Sequence, residues 1–157
     1  FTNKIHHNEK FVSMPLKKIF NDNFIKNYGY HPETIEIKDV FDNLMVDTFI
    51  SIDIEGSEYD ILQDLINSGN LFSGAVIEFH NVNQNLNTIE KFIKEFKLNL
   101  VHLHVNNFGE LVGNIPSVIE LTFSKYSVKD DRKVSDLPNI LDQENNSNGP
   151  IYEITFL

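Results

Sequence analysis

Hydrophobic and polar positions follow two rhythms along the chain, and the switches between them lay out its elements. After Ser13, the residues Leu16, Ile19, Phe20 and Phe24 recur at helical spacing before Gly29. Ser13 can cap that helix and Pro15 suits its first turn. Pro32 marks a loop, Thr34 to Ile37 a short alternating strand, and Lys38 to Leu44 a turn or helical piece. Thr48 to Ile54, TFISIDI, reads as a strand, and Glu55-Gly56-Ser57 turns the chain. Ser57 with Asp60 forms a start resembling a capping box. The helix that follows buries Ile61, Leu62, Leu65 and Ile66, and Gly69 stands where a C-cap glycine belongs. Ala75 to His80, AVIEFH, is the next strand. Asn87 caps a second helix in which Ile89, Phe92, Ile93 and Phe96 share a face. LVHLHVN, from Leu100, and SVIELTF, from Ser117, are two further strands.

Strands alternating with helices predict parallel pairing through right-handed crossovers. The link from Asn107 to Pro116 has no helical pattern and is shorter than a usual parallel crossover, so the last two strands should pair antiparallel. The expected fold is α/β: a three-layer, Rossmann-like, mostly parallel sheet with a terminal antiparallel hairpin, in a single domain over 1–157. Lys129 to Gly149 is polar and turn-rich, a surface excursion, and Ile151 to Leu157 returns as an edge strand. Phe1 to Phe11 carries no helix start or turn signal and the first residue is not methionine, which gives the expectation that the sequence begins partway through a longer protein.

Strands covered by helices on both faces should be almost continuously apolar. These are not. Asp53 and Glu55, Glu78 and His80, and His102, His104 and Asn106 alternate with aliphatic or aromatic residues toward the C-terminal ends of their strands. Glu120 lies early in the antiparallel strand, beside that same edge. A single polar residue in such a strand is more often a satisfied core group than a catalyst. Four strands sending ionisable groups to one edge are different, because ligands of open α/β sheets bind outside the carboxyl ends of the strands. Buried together, such groups must bond to one another, a metal, a ligand or water. Glu58, in the first helical turn, also favours the helix dipole. Asp53, Glu55, Glu78, His80 and His104 are oxygen and imidazole donors able to hold a divalent cation, although no compact ligand motif points to one.

Composition narrows the function classes. The chain has 157 residues and a formal net charge of −10, from 23 acidic against 13 basic side chains. That balance repels phosphate backbones and anionic lipid, which argues against nucleic acid or a membrane surface as partner. There is no cysteine, hence no thiolate metal site or cysteine nucleophile. No apolar run approaches the roughly 20 residues of a membrane helix, and a cytoplasmic protein is the default expectation.

Ile52 to Tyr59, IDIEGSEY, resembles the signature of FkbM-type methyltransferases, which read close to KIDIEGSE or KIDVEGAE. DVFDNL at Asp39 to Leu44 is similar to that family's upstream LDDLL-like segment, and VIEFH at Val76 to His80 to its next strand. HLHVNNFG from His102 and IPSVIELTF from Ile115 resemble the final hairpin of one branch, and LPNILDQEN from Leu137 its tail, with Glu144 where proline is usual. The resemblance runs from Asp39 to the end. It implies a class I fold that moves the methyl of S-adenosylmethionine onto a hydroxyl of a sugar or small molecule. Asp53, Glu55, Glu58 and His80 would form the catalytic edge, with Asp53 or His80 as base and Glu55 orienting the acceptor hydroxyl or holding the base. Glu78, His104, Asn106, Asn107 and Glu120 would bind the acceptor. The family's cofactor loop is not in this chain, since its seven glycines include no G-x-G. Without the strands that carry that loop, one sheet edge should be exposed or paired with another chain. Two rival readings remain open: a metal-dependent hydrolase or lyase using Asp53, Glu55, His80 and His104, and a glycan-binding domain without catalysis.

Overall fold

A computed structural model describes residues 11–12, 34–126, 136–137, 142–152 and 154–155. The helix expected after Ser13 lies outside them. The chain divides into two compact units, Phe1–Leu44 and Met45–Leu157. In the first, β1 (Phe11–Val12) pairs in parallel with β2 (Thr34–Ile35), and α1 (Ile37–Asp42) buries Ile37 and Phe41.

The second unit holds β3 (Thr48–Ile52), α2 (Glu58–Ser68), a short 3₁₀ turn (Gly69–Leu71), β4 (Phe72–His80), α3 (Val82–Glu95) and β5 (Asn99–Val105). It continues with β6 (Leu111–Val112), β7 (Ile115–Pro116) and β8 (Val118–Ser124). The strand order of its four-stranded sheet is β3-β4-β8-β5. β3 and β4 run parallel, as the intervening helix requires, while β8 pairs antiparallel with both β4 and β5. The sheet is therefore mixed. The antiparallel pairing of the last two long strands is as expected, but the mostly parallel pairing is not. β8 enters between β4 and β5 and takes the place at β4 that β5 would have held.

Tyr59 of α2 and Phe92 of α3 both lie against the Phe79 ring, with centroids 5.9 and 6.0 Å away. The two helices thus cover the same face of β4. Phe92 also meets Phe96 and Phe123, and this aromatic cluster with Leu65, Ala75, Ile77 and Leu121 forms the core. Within this unit the described helices form one layer, on one face of the sheet. The other face of this unit carries the irregular segment 142–152. β9 (Asp136–Leu137) and β10 (Ile154–Thr155) pair with each other, so the expected final edge strand joins a separate two-stranded sheet.

Several element ends differ from expectation for physical reasons. α3 starts at Val82, not after Asn87: Val82 is buried and its N–H donates to the Ser117 carbonyl, which overrides the loop-like run of Asn and Gln. Ser57 makes no side-chain cap at α2; the Glu58 carboxylate takes up backbone amides there instead. Gly69 ends α2 in right-handed conformation and leads into the 3₁₀ turn. Its lack of a side chain serves close packing, since a Cβ there would stand 3.2 Å from Lys97 Cβ. No helix among the described residues is long and apolar enough to cross a membrane.

Candidate functional site

β3 ends at Ile52, and the next residues form a tight turn in which Glu55 (φ 53°) and Gly56 (φ 99°) are both left-handed. Glycine adopts that conformation freely; glutamate does so at a cost in strain. The turn is held from inside. Glu58, with no exposed surface, accepts hydrogen bonds at Oε1 from the Ile54 amide at 3.3 Å and the Gly56 amide at 3.0 Å. The same oxygen accepts from His80 Nδ1 at 3.2 Å. Glu58 Oε2 is buried and has no hydrogen-bond partner.

With Nδ1 hydrogen-bonded to Glu58, Nε2 is the ring nitrogen of His80 left to face the other carboxylates. It lies 3.4 Å from Glu55 Oε2 and 3.4 Å from Glu78 Oε1. The backbone at this point is fixed as well. Tyr59 Oη donates to the His80 carbonyl at 2.6 Å. Burial, and then the Glu58 charge, push the Tyr59 phenol up to about 12, so it stays a donor across the neutral range. Asn81, next in the chain, is left-handed too (φ 53°), and its side-chain nitrogen stands 3.7 Å from where a Cβ on Gly56 would be.

Glu78 receives the Asn106 side-chain amide on both carboxylate oxygens, at 3.3 Å each, and the Asn106 oxygen accepts from the Phe108 amide at 2.9 Å. Burial raises the Glu78 carboxyl above its ordinary value. The Asn106 hydrogen bond opposes the rise, and the Asp53 charge adds to it. Glu78, Glu120 and His104 are register partners across β4, β8 and β5, so they form one row on the polar face. Asp53, Glu55 and His80 bring ligand-type atoms within 4.8 Å of one another.

The expected residues therefore fall into two groups. Asp53, Glu55, Glu58, Glu78, His80 and Asn106 meet at the ends of β3 and β4, with Glu120 alongside. His104 belongs elsewhere: its Nε2 bonds Asn145 Oδ1 at 2.7 Å and its Nδ1 lies 3.6 Å from Asp142 Oδ2. The four-residue set Asp53, Glu55, His80 and His104 is not a single cluster. Asn107, expected to bind the acceptor, has both ends of its amide on the Asn146 backbone, at 2.8 and 2.7 Å, and clamps segment 142–152 instead.

Sequence reasoning missed Tyr59, Asn81 and Asp142. Tyr59 carried a signal, being the residue after Glu58 in IDIEGSEY. Asn81 follows a strand directly, and asparagine is the residue that most readily turns left-handed there. Asp142 lies within the LPNILDQEN tail, but 40 residues from its partner His102, and nothing in the tail pointed to that pairing. Compared with family models, curated proteins and solved structures, the chain matches none.

Proposed function

We propose that this chain forms the acceptor side of an S-adenosylmethionine-dependent O-methyltransferase acting on a hydroxyl of a sugar or small molecule. The observation that carries the reading is the setting of His80. Glu58 holds its Nδ1 from the buried side and leaves Nε2 facing the exposed Glu55 and the half-buried Glu78. An imidazole so fixed takes a proton from an approaching hydroxyl at Nε2, and that proton then lies between two carboxylates. Glu55, on its strained turn, orients the hydroxyl; Asp53 is a third carboxylate close by. A parallel strand pair that closes on an antiparallel strand is compatible with a class I methyltransferase sheet and supports the same reading.

S-adenosylmethionine, when bound, supplies a methyl group already activated on a sulfonium. The described residues do not fit a cradle for it. The single strand–turn–helix glycine, Gly56, precedes a helix start where the Glu58 carboxylate already takes up backbone amides. The reading accordingly assigns to these residues only the acceptor and its proton.

The test is methyl transfer by the intact natural protein from isotope-labelled S-adenosylmethionine to a panel of sugars and small polyols. His80→Gln should lower turnover by about 10²–10⁴-fold, the usual contribution of a positioned base. No transfer to any acceptor, or an unchanged rate in His80→Gln, would sink the proposal.

A further inference from the structure

The second polar group lies on the same polar face, toward β5, and takes no part in that chemistry. His102 and His104, two residues apart on β5, project from the same face. A register irregularity between Leu100 and His102 re-phases β5 at this point, the kind of feature that re-aims side chains. Both imidazoles turn to one carboxylate. His102 Nε2 is 2.8 Å from Asp142 Oδ1, and His104 Nδ1 is 3.6 Å from Asp142 Oδ2. The three side chains are partly to well buried, at 33%, 13% and 9% exposure.

Ligand-type atoms of His102, His104 and Asp142 all lie within 4.8 Å of one another, and His104 is already held from its far side. Its Nε2 is 2.7 Å from the Asn145 side-chain oxygen, an acceptor, so Nε2 bears the hydrogen. In the neutral ring, Nδ1 then presents a lone pair to the Asp142 carboxylate, and two acceptors face each other. A divalent cation between them would take both as ligands. A histidine that binds metal through one nitrogen while donating its other N–H to an oxygen is the usual arrangement at metal centres. Donors about 2.1 Å from a tetrahedral zinc lie roughly 3.4 Å apart, close to the 3.6 Å between His104 and Asp142, while His102, now 2.8 Å from the carboxylate, would exchange that hydrogen bond for the ion.

We propose that His102, His104 and Asp142 form a binding site for a divalent transition metal of the zinc class. These nitrogen and oxygen donors suit zinc and its neighbours rather than calcium or magnesium. Beside the carboxylate is a cavity of about 110 Å³, lined by His104, Asp142, Glu144 and Tyr152 among others. It leaves room for a water or another small oxygen ligand in the fourth position. The ion would fasten segment 142–152 to β5, where Asn145, Asn146 and Tyr152 already bond to the sheet side. The inference does not rest on methyl transfer.

The experiment strips the intact protein with chelator, then titrates it with Zn²⁺ by calorimetry and with Co²⁺ by visible d–d absorption. One ion per chain should bind. His102→Ala and His104→Ala should each weaken binding by more than the roughly 10–100-fold that loss of an outer hydrogen-bonding partner costs. Asp142→Asn keeps the shape and can still accept from His102, so it reads the ligand role in a protein that folds. Its affinity should fall likewise and its Co²⁺ spectrum should change. His80→Gln should bind the ion unchanged. The proposal fails if the unmodified protein takes up no Zn²⁺. It fails equally if Asp142→Asn binds as tightly as the parent, or if binding is lost with His80→Gln, which would place the ion at the other cluster.

Discussion

The two faces of one sheet differ in almost every physical respect. Under α2 and α3, Ala75, Ile77 and Phe79 of β4 and Ile119, Leu121 and Phe123 of β8 are all buried. One residue along each strand, Glu78 and His80, Glu120, and His102 and His104 stand half-buried on the opposite face. Within this unit that face is covered by a loop. The loop is tied down through the side chains of Asp142, Asn145 and Tyr152 and through the Asn146 backbone, which the Asn107 amide clasps. The helix face is held by burial, which is non-directional and tolerates repacking. The polar face is held by hydrogen bonds and charge, which depend on single atoms. Strength therefore lies on one side and chemistry on the other, with β4 common to both.

The strongest way to break that division is to attack the helix face at its centre. Phe92 is 1% exposed and its ring meets Phe79, Phe96 and Phe123. Phe92→Ala should cost about 3–5 kcal/mol by the usual transfer and cavity terms. Denaturant unfolding would read it, and a loss below about 1 kcal/mol would mean that this cluster does not hold the sheet to its helices.

Glu58 is the point where the faces meet, a buried carboxylate in a helix that belongs to the apolar side. Glu58→Ala leaves the Ile54 and Gly56 amides and His80 Nδ1 without their acceptor, and should cost about 2–3 kcal/mol. Glu58→Gln retains an oxygen where Oε1 stands and should cost clearly less. Equal losses in the two variants would show that the charge, and not the acceptor geometry, secures the turn.

The helix face was the legible part of the sequence. β3, β4, β5 and β8 lie within two or three residues of where alternation put them, because period-two patterning is decided locally. The gathering of Asp53, Glu55, Glu58, Glu78 and His80 was legible too, since it follows from strand ends and the sheet direction. The insertion of β8 between β4 and β5 was not, because neighbour order is a choice among long-range pairings that alternation leaves open. The capture of His102 and His104 by Asp142 was hidden for the same reason. Asn107 reads like a site residue in HLHVNNFG, and only the approach of Asn146 shows that its amide is already committed.

The smallest expected effect is also the most informative about the polar face. Burial lifts the Glu78 carboxyl above its ordinary value of 4.5, the Asn106 hydrogen bond partly offsets this, and Asp53 adds to it; His80 lowers and Glu120 raises it further down the scale. With the folded value above the unfolded one, the native state binds more protons than the unfolded state between the two. Stability contributed by this group therefore falls as pH rises through that window, and the deficit is complete above the folded value. Glu78→Gln removes the titration while keeping an oxygen for Asn106. The variant should be more stable than the parent at neutral pH and closely similar below the ordinary carboxyl value, a difference measured by urea unfolding at the two conditions. If Glu78→Gln is instead the less stable protein at neutral pH, the attraction to His80 exceeds the burial cost and the polar face contributes to holding the fold. If it is the more stable one, the carboxylate sits there against the interest of stability, which is how a group kept for chemistry behaves.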